Sequence, residues 1–113
     1  MRRIYKLLDA AAWDAAQRAG VFTGSAVDLK DGYIHFSGGA QAAETARLHF
    51  KGQAGLVLLS VDADRLGEAL KWEPSRGGAL FPHLYGGLPV EAVLEARALT
   101  LDEDGVPRLG SLP

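Results

Sequence analysis

The chain contains no cysteine, which excludes disulfides, thiolate metal ligands and thiol nucleophiles. It also lacks a long apolar run. The longest, Leu56 to Val61 with Ser60 inside it, falls far short of a membrane span. Met1-Arg-Arg-Ile-Tyr-Lys-Leu-Leu carries positive charge but meets Asp9 before an apolar stretch of signal-peptide length can form. Walker-type and GxGxxG phosphate loops are missing, as are the HxH and HExxH spacings that hold zinc. A formal charge of -2 disfavours a general nucleic-acid binder. These absences give the expectation of a soluble cytoplasmic protein, a monomer or weak dimer, that needs no metal.

What is present is the composition of a globular domain: 113 residues, 48% hydrophobic and 23% charged. One α+β domain over residues 1–113 is expected, with the Pro- and Gly-containing end, residues 105–113, loosely held. Ile4 and Tyr5 favour a first strand over Arg3 to Leu8. Asp9 then caps a helix over Ala10–Ala19, and Gly20 stands where a left-handed residue would end it. Trp13 is the bulky residue of that alanine-rich helix and reads as its packing anchor. Val21 to Lys30 shows no clear periodicity and reads as a loop. A second helix fits Ala40–Phe50, and its first N–H groups are a candidate anion site; His49 falls at the far end, at the surface.

Leu56–Val61 reads as a strand buried on both faces. Asp62 and Asp64 read as a helix-capping turn, since calcium or magnesium would want more oxygen ligands. Leu70 to Pro74 and Ala79 to Tyr85, joined by Ser75-Arg-Gly-Gly78, form a candidate hairpin. Pro82 cannot donate to a central ladder, which places its segment at an edge, a bulge or a cavity-lining loop. Pro89–Val93 fits one helical turn, Val93–Leu101 a last strand and Asp102-Glu-Asp-Gly105 a turn.

Two stretches carry chemistry. In Asp31-Gly-Tyr-Ile-His-Phe-Ser37 the strand period of two puts Tyr33, His35 and Ser37 on one face. In Phe81-Pro-His-Leu-Tyr-Gly-Gly87 the same period aligns Phe81, His83 and Tyr85. Each histidine thus has a hydroxyl two residues away, a pairing suited to ribose hydroxyls, carbonyls or proton transfer. Convergence of His35 and His83 on one pocket is the expectation that organises the rest. A serine-hydrolase reading of Ser37 is disfavoured, because no nucleophile-elbow pattern surrounds it and His35 stands beside it on a strand. Zinc held by His35, His83 and Glu73 is likewise disfavoured.

The same residues carry a resemblance over nearly the whole chain. Ile4-Tyr5-Lys6, Trp13, Gly24-Ser25, Asp28, Asp31 to Ser37, Gln41, Thr45-Ala46, Trp72-Glu73 and Phe81-Pro-His-Leu-Tyr-Gly86 resemble the bacterial domain of unknown function 952 family. That resemblance implies a compact domain of two small, mainly antiparallel sheets and two main helices. It implies kinship with the ADP-ribosylation fold of ADP-ribosyltransferases and RNA 2′-phosphotransferases, whose NAD lies between two small sheets. His35-x-Ser37 is similar to the first NAD-contacting motif of the poly-ADP-ribosylating and diphtheria-toxin-like enzymes. By resemblance His35 and Ser37 would sit on the ribose side, with NAD as the candidate substrate. Tyr85 would be the stacking tyrosine and Glu73 or Glu91 the late glutamate. The resulting expectation is a nucleotide-like ligand bound by His35, Ser37, Tyr85 and Trp72, with His83 and Glu73 as catalytic candidates. The alternative is a non-catalytic small-ligand module on the same fold.

Overall fold

A computed structural model describes residues 2–75 and 77–112. Strand β1 (Arg3–Asp9) leads into helix α1 (Ala10–Ala19), which is closed at both ends by local chemistry. The Asp9 carboxylate accepts the Ala12 N–H at 2.7 Å, and Gly20 turns at φ 82°, a conformation that costs glycine little. The region expected to be a loop instead holds strand β2 (Val21–Phe22) and helix α2 (Ala26–Asp31). The reason is a capping box: Asp28 reaches back to the Ser25 N–H, and Gly32 ends the helix at φ 87°.

Strands β3 (Ile34–His35) and β4 (Ser37–Gly38) follow, broken at Phe36, and then helix α3 (Ala42–His49). Strand β5 (Leu56–Asp62) runs into a 3₁₀ segment, Ala63–Ala69, capped by Asp62 through the Asp64 N–H. Strands β6 (Leu70–Ser75) and β7 (Ala79–Leu84) pair as a hairpin. Arg76 of its turn lies outside the described residues. Strand β8 (Leu88–Pro89), the 3₁₀ turn Val90–Ala92 and strand β9 (Val93–Ala98) complete the elements.

The result is an α+β domain with antiparallel sheets: four strands in the order β4-β1-β5-β9, three in the order β3-β7-β6, and the pair β2-β8 in addition to the two sheets expected. The four-stranded sheet is buried on both faces, which explains the unbroken apolar run of β5. Ile4, Leu8, Val57, Leu59 and Val61 pack with Trp13, Phe22 and Phe36 on one side. Tyr5, Leu7, Leu56 and Leu58 pack with Ala42 and Ala46 of α3 on the other.

Two expectations are corrected. Strand β7 is central, not an edge, although it contains Pro82. A strand residue points its N–H and C=O to the same side. The Pro82 carbonyl accepts the Phe36 N–H at 3.0 Å, so its missing donor faces the break between β3 and β4, where no regular ladder needs it. Pro74, by contrast, does lie on an edge strand, β6. The chain after Gly105 is also tied down. Leu101 bridges Pro107, the Arg108 N–H donates to the Thr100 carbonyl at 2.8 Å, and Leu109 is buried in the second core beside Leu112. Leucines in a Pro- and Gly-containing stretch outweigh its turn-rich composition when a core face lies open to them.

Candidate functional site

The break at Phe36 lets one short stretch serve two sheets. Strand β3 pairs with β7, while β4, two residues on, pairs with β1. His35 therefore lies directly opposite His83 across β3 and β7, and their ring centroids are 5.6 Å apart. Both residues line a cavity of about 680 Å³ whose wall also includes Lys6, Asp9, Asp31, Ser37, Thr45 and Phe81.

His83 is 4% exposed and stacks on Tyr33 at 4.1 Å between centroids, the planes inclined by 26°. Its Nδ1 lies 2.8 Å from Glu73 Oε1. A carboxylate only accepts, so Nδ1 carries the hydrogen of that bond, and Nε2 is left bonded to no described residue. The Tyr85 hydroxyl donates to the same Glu73 oxygen at 2.7 Å. That bond, followed by the one from His83, holds the Glu73 carboxyl below the usual carboxylate range. The same Glu73 bond pushes the Tyr85 phenol up. Tyr33 is also pushed up, by burial first and then by the charges of Asp31 and Glu73.

His35 is held from both sides. Nδ1 lies 2.7 Å from Asp28 Oδ1, and Nε2 lies 2.9 Å from Asp31 Oδ2. Both ring nitrogens thus face carboxylate oxygens, which can only accept. Behind it, Asp28 is 2% exposed and binds almost everything around it. Its oxygens accept the Ser25 N–H at 2.8 Å, the Ser25 hydroxyl at 3.0 Å and the His35 N–H at 3.1 Å, and pair with Lys6 Nζ at 3.2 Å. Lys6, 7% exposed, also donates to the His35 carbonyl at 2.8 Å. Burial pushes Asp28 up, but the Lys6 charge and the Ser25 and His35 bonds outweigh it and hold the carboxyl below its ordinary value. Burial lowers Lys6, against the opposing pull of Asp28.

The candidate residues divide between two places. His35, Ser37 and His83 share the cavity wall, and Glu73 and Tyr85 stand behind His83. Ser37 bonds the Thr45 hydroxyl at 2.7 Å and not a histidine. Trp72 lies elsewhere, in a cleft with Arg2, Arg3 and Gly38. Glu91 sits exposed on the second 3₁₀ turn and lines neither cleft. Gln41, just ahead of α3, makes no side-chain cap on that helix; its Oε1 accepts the Gly38 N–H at 2.9 Å, and its Nε2 donates to the Leu80 carbonyl at 2.7 Å.

A family model described as a protein of unknown function, DUF952, matches residues 7–96. The chain belongs to the DUF952 family. It is similar in structure to protein CC0527 from Caulobacter crescentus, whose X-ray crystal structure is 62% identical with a TM-score of 0.93, over 95% of this chain and 94% of that one. The solution NMR structure of CC0527 is 62% identical with a TM-score of 0.87, over 97% of this chain and 95% of that one. No curated protein matches.

The parts of this DUF952 site that sequence reasoning missed are Lys6 and Asp28 as a buried charge pair. Lys6 stands on β1 between Ile4 and Leu8 on the core-facing side, and the charge alone gives no hint of its partner. Asp28 did leave a signal: Ser25-x-x-Asp28 has the spacing of a capping box.

Proposed function

We propose that the cavity lined by His35 and His83 binds a ribose-bearing nucleotide of the NAD or ADP-ribose type, with His83 as its proton-transfer group. The observation that carries this reading is the Glu73–His83 pair in a residue of the cavity wall: the carboxylate accepts the Nδ1 hydrogen and leaves Nε2 as the acceptor. In an ADP-ribosyl transfer, the acceptor hydroxyl forms a bond to the ribose anomeric carbon and gives its proton to Nε2. The bond to nicotinamide breaks, and nicotinamide leaves with the electron pair. The Glu73 carboxylate beside His83 then stabilises the protonated ring. The His35-x-Ser37 motif supports kinship with the ADP-ribosylation fold, as does a segment that passes from one small sheet to the next.

One observation favours the second reading, a non-catalytic binding module. Asp28, Asp31 and Glu73 are all spent on internal partners, and both His35 nitrogens are occupied. A ribose hydroxyl reaches His35 Nε2 only by displacing Asp31, whose side chain is 37% exposed. Calorimetric titration with NAD, ADP-ribose and nicotinamide, on the native protein and on His83→Ala, separates the readings. Binding with NAD turnover that is lost in His83→Ala supports catalysis. Binding without turnover assigns the module, and no binding of any of the three removes the nucleotide reading.

A further inference from the structure

A second cleft, of about 560 Å³, is lined by Arg2, Arg3, Gly38 to Gln41, Trp72 and Leu80. No Asp or Glu is in that lining, although the chain as a whole is net negative. The Arg2 guanidinium lies over the Trp72 ring, its carbon 3.9 Å from the ring centroid, a cation–π contact that restrains it. Neither arginine has a carboxylate of a described residue within ion-pair distance. Asp62, directly opposite Arg3 on β5, instead caps the 3₁₀ segment and reaches Arg65 at 3.7 Å. Gln41 takes the Gly38 N–H, while those of Gly39 and Ala40 donate to no described residue.

Two arginines without an acid partner among the described residues, one held over an indole, border a turn whose Gly39 and Ala40 N–H groups donate to no described residue. We propose that this cleft is a second binding site, for a phosphate dianion, whether free or as a monoester. A guanidinium fork matches two phosphate oxygens, and the Gly39-Ala40 backbone supplies N–H donors for a third. The site also gives Trp72 a role as the platform that orients Arg2 and not as a surface for the nucleotide base. It stands independently of the histidine cavity, because it shares no lining residue with it.

The test is titration of the untagged protein with inorganic phosphate and with AMP, followed by amide NMR and tryptophan fluorescence, at constant ionic strength against sodium chloride. The expected result is saturable movement of the Gly38, Gly39 and Ala40 amides and a fluorescence change that Trp72→Phe abolishes. Arg2→Gln/Arg3→Gln is expected to weaken binding at least tenfold with the rest of the amide spectrum in place. Arg2→Lys/Arg3→Lys keeps the charge, loses the fork and falls between. Equal affinity for the two ligands assigns free phosphate, and tighter AMP binding assigns a monoester. Movement confined to the His35 and His83 amides, no saturation, or an equal response to chloride overturns the proposal.

Discussion

Replacing Asp28 by Asn tests whether this carboxylate organises the site. The side chain keeps its shape but loses its charge, and one acceptor oxygen becomes a donor facing other donors. Asp28 is 2% exposed, and its pair partner Lys6 is 7% exposed, so water cannot compensate either group. Removing one partner of a buried pair costs about 3–5 kcal/mol, because the charge left behind stays buried. For a domain of this size that lowers Tm by roughly 10–20 °C. Urea denaturation followed by tryptophan fluorescence measures the loss. The double variant Asp28→Asn/Lys6→Met is expected to lose clearly less than the sum of the single variants, since the second change removes the stranded charge. The pH dependence has a definite sign. Asp28 titrates lower in the folded state than in the unfolded chain, so its contribution is full above about pH 4 and fades as pH falls through the folded value. The acid limb of the stability profile should therefore be shallower in Asp28→Asn than in the native protein. A loss under about 1 kcal/mol, or strict additivity with Lys6→Met, refutes the assignment of Asp28 as a hub.

Glu73→Gln weakens the hydrogen bond and removes the charge that raise Tyr85, and takes away the smallest of the three causes that raise Tyr33 after burial and Asp31, so ultraviolet titration should show Tyr85, and to a lesser degree Tyr33, ionising at lower pH than in the native protein. An unchanged Tyr85 curve would mean the Glu73 bond does not set it. Asp9→Ala deletes the α1 cap and should cost about 1 kcal/mol in chemical denaturation, because the carboxylate serves the helix end; an unchanged denaturation midpoint would mean the cap contributes nothing.

Much of the scaffold was legible because its signals are local. Asp9 and Gly20 bracket α1 to the residue, and the apolar run of β5 reports a strand covered on both faces. The period of two grouped Tyr33 with His35 on one segment and His83 with Tyr85 on the other, and the pairing of β3 with β7 then set the histidines opposite each other and Tyr33 on His83. What stayed hidden depends on partners far away in the chain. Lys6 and Asp28 are separated by 22 positions, and nothing near either one announces the other. The helix α2 was missed because six residues are too few for periodicity to show, leaving only its capping box as a sign. Pro82 misled for a related reason: its lost donor is harmless only because the neighbouring strand breaks opposite it. Trp72 was grouped with His35 by its place in the motif, yet hairpin pleating turns it toward Arg2.

The interruption at Phe36 has a thermodynamic corollary. Since β3 belongs to one sheet and β4 to the other, any guest touching both His35 and Ser37 clamps the seam between them. Its binding energy is then added to the stability of that docking. Amide exchange at Ile34 to Gly38 should slow in proportion to occupancy, making this short splice a built-in gauge of whatever enters the cavity.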